Sequence, residues 1–252
     1  MNIYKEIETR TNGEIYIGVV GPVRTGKSTF IKRFMELMVL PAITDEHNRK
    51  RALDELPQSA AGKTVMTTEP KFIPKEAVEV LFEDGVHFKC RMIDCVGYMV
   101  QGAEGHEEDG RERLVKTPWF DYDIPFTKAA EIGTKKVIYD HSTVGIVVTC
   151  DDTVSELDRS AYIQPETQTI QELKSIGKPF IVILNTRKPS SPETIALADE
   201  LQQAYGVAVL PVNCDQLRKA DVVHIFEALL LDFPVTCVRF RIPKWVEALE
   251  LK

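Results

Sequence analysis

No pair of cysteines at CxxC spacing, no basic block and no apolar run near the roughly 20 residues of a membrane-spanning helix occurs in this 252-residue sequence. The five cysteines, at 90, 95, 150, 214 and 237, are odd in number and scattered, which suggests neither a zinc cluster nor a disulfide framework. Cys90 and Cys95 share a strand-like run, and five residues along a strand places them on opposite faces. Buried thiols in a reducing cytoplasm are the expectation. The opening MNIYKEIETR lacks the apolar core of a signal peptide. Lys plus Arg number 31 against 38 Asp plus Glu, a net charge of −7. That argues against binding duplex nucleic acid by charge, and against unaided docking on an anionic membrane. With 44% hydrophobic and 27% charged residues, neither disorder nor low complexity describes the whole chain. The length suits one large α/β domain, or one domain and a fragment.

The organisation follows from hydrophobic period. Residues 14–20, EIYIGVV, read as a buried strand ending in Gly21. Phe30, Ile31, Phe34, Met35 and Met38 recur at helical spacing. Residues 39–76, broken by Pro41, Pro57, Pro70 and Pro74, read as mostly loop with one short helix near 45–54. Alternation on both sides of Asp84-Gly85 predicts a hairpin, hence one antiparallel strand, at the sheet edge. Residues 99–140 read as a long insertion whose end, from Thr127 to His141, has helical spacing. Buried strands follow at 143–149, Phe180–Leu184 and Val207–Val212. Helices are expected at 165–177, from Ser191 to about Tyr205, and at 216–231. The domain expected is 1–234, with 235–252 the start of a following region cut short.

Gly21-Pro-Val-Arg-Thr-Gly26-Lys27-Ser28 carries the chemistry. It matches the phosphate loop G-x-x-x-x-G-K-[ST], between a buried strand and an amphipathic helix as its mechanism requires. Glycines let backbone N–H groups turn inward round a polyphosphate, Lys27 brings a cation to the β- and γ-phosphates, and the Ser28 hydroxyl is placed for Mg²⁺. The helix N-terminus adds its positive end. Gly62-Lys63-Thr64 imitates half the motif, but Pro57 replaces its first glycine and no strand leads in. Met92-Ile93-Asp94-Cys95-Val96-Gly97 ends a strand, so Asp94 can hold Mg²⁺ through water and Gly97 can offer its N–H to the γ-phosphate. Thr67 and Thr68 lie between the first helix and the hairpin, where one can ligand Mg²⁺ and sense the γ-phosphate. Asn185-Thr186-Arg187-Lys188 follows a buried strand where GTPases carry Asn-Lys-x-Asp, with Lys188 in place of the acid. The expected catalytic residues are Lys27, Thr67, Thr68 and Asp94. The expected nucleotide contacts are Gly21, Arg24, Thr25, Gly26, Lys27, Ser28, Thr29, Gly97 and Asn185. Ser28, Thr68 and Asp94 are the metal set. The five histidines (47, 87, 106, 141 and 224) are scattered and expected to be structural or solvated.

Together these residues resemble the GTPase-like (TRAFAC-type) class of P-loop NTPases: an α/β fold with a mostly parallel sheet and one antiparallel edge strand. More narrowly, GVVGPVRTGKSTFIKRFMEL, DELPQSAAGKTVMTTEPKF, IDCVGY, TPWF and AAEIGTKKVI resemble the stage IV sporulation protein A family. The resemblance implies an ATPase with ATP and Mg²⁺ as ligands. It implies self-assembly into the basement layer of the bacterial spore coat, on the outer forespore membrane surface within the mother-cell cytoplasm. It implies as partners other copies of the chain, a small amphipathic membrane-anchoring protein and spore coat proteins, with no nucleic acid and no transmembrane segment. Members of the family are roughly twice this length, which suits an unfinished C-terminus. Two rival readings stand beside this one: a GTPase switch on the same fold, and an assembly protein whose nucleotide is held but never hydrolysed.

Overall fold

The computed structural model describes residues 14–57, 69–81, 87–103, 105–108 and 110–233. The first strand is β1 (Glu14–Val20). Ile15, Ile17 and Val19 enter one core cluster, while Val20 enters another on the opposite face. The phosphate-loop sequence separates β1 from α1 (Lys27–Phe34), which runs on through a wider turn, Met35–Val39, and a tighter one, Leu40–Ala42. α2 (Glu46–Asp54) starts where the Asp45 carboxylate accepts the Asn48 N–H at 2.7 Å.

β2 (Lys71–Leu81) and β3 (His87–Asp94) form the expected antiparallel pair. The Asp84-Gly85 turn between them lies outside the described residues. β2 begins inside the stretch expected to be loop and passes through Pro74. A proline lacks the N–H of a sheet ladder, which excludes it from a central strand but not from an edge or a bulge. Pro74 has both settings: β2 is the outermost strand, and its register with β3 slips between Ile73 and Val78.

The expected 99–140 insertion divides into two parts. The first holds two short antiparallel ribbons, β4 (Glu107–Glu108) with β5 (Arg111–Glu112), and β6 (Leu114–Thr117) with β7 (Phe120–Pro125). Thr117-Pro118-Trp119-Phe120 makes the turn of the second ribbon. The second part is α3 (Phe126–Lys136) and its continuation Val137–His141. It belongs to a helix layer of the sheet, because Val137 and Ile138 are fully buried in the second core cluster.

β8 (Val144–Cys150), α4 (Ile163–Ser175), β9 (Phe180–Asn185), α5 (Pro192–Tyr205), β10 (Val209–Val212) and α6 (Lys219–Leu231) complete the order. Ser191 caps α5 by accepting the Thr194 N–H, and Gly206 ends it in a left-handed conformation. α6 starts three residues later than its hydrophobic pattern predicts. Asn213 Oδ1 accepts the N–H groups of Asp215 and Gln216, and that turn occupies the first expected helical residues.

The six-stranded sheet has the order β10-β9-β8-β1-β3-β2, parallel except for β2 against β3. α1 and α6 cover one face through Phe30, Phe34, Ile225 and Phe226. The other face takes Ile138, Ile170, Leu173 and Leu201 from the region of α3, from α4 and from α5. Strands covered on both faces read as unbroken apolar runs, which is why β1, β8 and β9 are legible in the sequence. Cys90 lies in the first cluster and Cys95 in the second, on the opposite faces their spacing predicts. Cys90, Cys95, Cys150 and Cys214 are all buried free thiols.

Candidate nucleotide site

The C-terminal ends of β1, β3, β8 and β9 converge where an open α/β sheet holds its ligand. Residues 21–26 leave β1 as a tight loop and deliver Lys27 and Ser28 to the first turn of α1. Gly26 sits at φ 97°, and a Cβ there would come 2.3 Å from Asn185 Nδ2. The approach that glycine allows has a use: Asn185 Nδ2 donates to the Thr25 carbonyl at 2.9 Å. Asn185 Oδ1 accepts the Cys214 N–H at 3.1 Å, so one amide ties the phosphate loop to the turns after β9 and β10. Thr25 is fully buried and closes the loop from within by donating to the Pro22 carbonyl at 3.0 Å. Arg24, at φ 63°, holds a left-handed conformation uncommon outside glycine.

Lys27 is 5% exposed. Its ammonium donates to the Pro22 carbonyl at 2.5 Å and the Gly21 carbonyl at 3.3 Å. Burial draws its pKa down, against the raising influence of Cys95 and Asp94. Ser28 Oγ donates to Asp94 Oδ2 at 2.8 Å. The other carboxylate oxygen, Asp94 Oδ1, is buried without a hydrogen-bond partner. Burial raises the Asp94 pKa, opposed by the Ser28 hydrogen bond and the charge of Lys27.

The turn after Asp94 folds over the loop. Gly97 lies at φ 95°, and an added Cβ would fall 2.1 Å from the Gly21 carbonyl oxygen and 2.7 Å from Lys27 Nζ. Only glycine fits this contact. Val23 N–H donates to the Tyr98 carbonyl at 2.9 Å, and Pro22 pairs with Tyr98 as an isolated parallel bridge. Lys27, Ser28, Asp94 and Gly97, which lie in two distant stretches of sequence, are thereby in one place. Thr29 stands half-buried one residue further along α1. Thr67 and Thr68 lie outside the described residues.

A Mg²⁺ ion at bound phosphates takes one or two protein oxygens and completes its octahedron with phosphate and water. Ser28 and Asp94 fit that demand, and the orphaned Oδ1 is an acceptor such a site can use. Among the described residues no group of three or more His, Cys, Asp or Glu side chains could hold a metal, which a site of this type does not need.

Sequence reasoning missed two features of the rim. Asp151, just past β8, accepts at Oδ1 from Thr153 N–H at 2.9 Å and Thr153 Oγ1 at 2.5 Å, while Thr153 Oγ1 accepts the Arg187 N–H at 2.9 Å. This turn braces the Asn185–Lys188 segment. An acid two residues before a threonine, after a buried strand, was its available signal. The second is Tyr98, whose side-chain partner lies 74 residues away with no local signature.

The family model described as "Stage IV sporulation protein A, ATPase domain" matches residues 1–234. The chain belongs to the stage IV sporulation protein A family. The Clostridioides difficile stage IV sporulation protein A is 57% identical over 249 residues, covering 99% of this chain and 51% of its own length. The Bacillus subtilis protein of that name is 51% identical over 250 residues, again covering 99% and 51%. The chain thus spans about half the length of the curated relatives it matches. Crystal structures of two SsGBP variants align with TM-scores of 0.46 and 0.47 at 15% identity, over 90% and 89% of this chain and 59% and 57% of theirs. No helix among the described residues is long and apolar enough to cross a membrane.

Proposed function

We propose that this chain is a Mg²⁺-dependent ATP hydrolase whose cycle drives self-assembly of the whole protein into the spore-coat basement layer. The observation that carries the hydrolase reading is the meeting of Lys27, Ser28, Asp94 and Gly97 around one loop. Lys27 and the 21–28 backbone take the phosphates, with Arg24, Thr25 and Thr29 beside them and Asn185 bracing the loop. Ser28 and Asp94 hold Mg²⁺, joined by Thr68. Thr67 or Thr68 senses the γ-phosphate, and Gly97 donates its N–H to it. Transfer of a phosphoryl group to water needs chiefly positioning and charge stabilisation, which this set supplies without an evident general base. Residues 1–234 form the catalytic domain in this reading. The partners proposed are other copies of the chain, a small amphipathic membrane-anchoring protein and spore coat proteins, at the forespore surface in the mother-cell cytoplasm.

Lys27→Ala tests the reading. Loss of a charge-assisted phosphate contact costs about 1.5–3 kcal/mol. Weakened ATP binding by calorimetry and loss of phosphate release are expected. Turnover at the parental rate would remove the site from this loop.

A further inference from the structure

Tyr98 is held by its two ends in different parts of the molecule. Its carbonyl is fastened to the phosphate loop by the Val23 N–H. The residue is 4% exposed, and its hydroxyl donates to Glu172 Oε2 on α4. Glu172 Oε1 accepts from Gln168 Nε2 at 3.4 Å and stands 3.6 Å from Lys135 Nζ on α3. A second thread runs beside the first, from Thr134 Oγ1 to Cys95 Sγ at 3.7 Å. The turn that carries Gly97 is therefore bound to both helices that flank it.

α3 is in turn fastened to the ribbon before it. The Phe126 N–H donates to the Arg113 carbonyl at 2.8 Å, and the Arg113 guanidinium lies 4.5 Å from the centre of the Phe126 ring. Thr127 Oγ1 donates to Glu112. Lys136 Nζ stands 5.7 Å from the centre of the Trp119 ring in the ribbon's turn. These bonds join 111–136 into one unit. A cavity of about 250 Å³ lies where the unit meets the turn, lined by Tyr98, Thr127, Glu131, Gln164 and Gln168.

We propose that Tyr98 is a positioning residue that couples the turn bearing Gly97 to residues 111–136. The proposal rests on the nucleotide reading above, in which Gly97 meets the terminal phosphate. Packing alone would be served by a phenylalanine. The phenol adds a directional bond to a carboxylate that already faces Lys135, so movement of the turn is felt on α3.

Hydrogen exchange with and without ATP and Mg²⁺, read with turnover, tests this in Tyr98→Phe. The parent is expected to gain protection at 21–28 and to change exchange at 111–136. Tyr98→Phe is expected to keep the first, lose the second, keep its nucleotide affinity and fall about tenfold in kcat, the lower end of what one hydrogen bond to a charged group is worth. Glu172→Gln keeps an acceptor for the hydroxyl but removes the charge facing Lys135, and it is expected to lose the 111–136 response with the fold intact. A parent without protection at 21–28 overturns the nucleotide reading and the proposal with it. A parent that responds at 21–28 but not at 111–136 overturns the proposal alone. So does a full 111–136 response in either variant.

Discussion

At the scale of single residues, Asp94 shows what a phosphate-loop site costs the protein that carries it. One of its oxygens accepts from Ser28, and the other is buried with no partner. The structure surrounding it disfavours the charged form, so its pKa lies above the ordinary carboxylate value. For a carboxylate with a raised folded pKa, ionisation is harder in the folded than in the unfolded chain. In the nucleotide-free protein, stability therefore falls as pH rises from the ordinary aspartate pKa through the raised one, and the loss persists at neutral pH. Asp94→Asn removes the charge and keeps an acceptor for Ser28. The variant is expected to melt higher than the parent at pH 7 without nucleotide, and to lose Mg²⁺-dependent turnover. Calorimetric melting at pH 7 checks the first part; a lower melting temperature would show that the carboxylate contributes net stability to the empty site.

At the scale of elements, legibility in the sequence followed how local each cause was. β1, β8 and β9 announced themselves because burial on both faces demands an unbroken apolar run. The phosphate loop was legible because its glycines, Lys27 and Ser28 lie within one short stretch. Pro74 misled, since a proline that would break a central strand is harmless in an edge strand with a slipped register. The brace made by Asn185 and the bond from Tyr98 to Glu172 were illegible, because each joins residues far apart in the chain. The same holds for the staple joining β8, α4 and α5. The fully buried Glu166 accepts from Thr149 through one oxygen, and from Arg159 Nη2 at 2.7 Å and Tyr205 Oη at 2.5 Å through the other. Arg159 is its counter-ion, with side-chain exposure of 14%. Removing one partner of a buried pair strands the other, at about 3–5 kcal/mol. Arg159→Ala is expected to lose that much in urea unfolding, and a loss below about 1 kcal/mol would mean that water enters to solvate Glu166.

At the scale of the whole molecule, the candidate site draws on loops from both sides of β1 in the sheet, so a nucleotide bound there would hold the fold together. A ligand that binds only the folded state stabilises it by about 2.7 kcal/mol at 100 times its Kd. For a chain of this size that corresponds to a rise of roughly 5–10 °C in Tm. The rise gives a measure of which base the site accepts. A GTPase reads guanine with a carboxylate that accepts from N1–H and the 2-amino group together. Here Lys188 stands in that position, exposed, in the turn between β9 and α5, with its backbone N–H held by Thr186 Oγ1 at 3.0 Å. An ammonium only donates, so it offers guanine's donors nothing and repels their positive edge. Adenine has no 2-amino group and loses nothing by the change. ATP with Mg²⁺ is therefore expected to raise Tm more than GTP with Mg²⁺ at the same concentration, and Lys27→Ala to flatten both responses. Lys188→Asp restores an acceptor and should enlarge the GTP response, because base discrimination depends on whether the site's polar groups find partners. An equal or larger shift with GTP in the parent chain would show that another group, such as the exposed Asp215 in the turn after β10, reads the base instead.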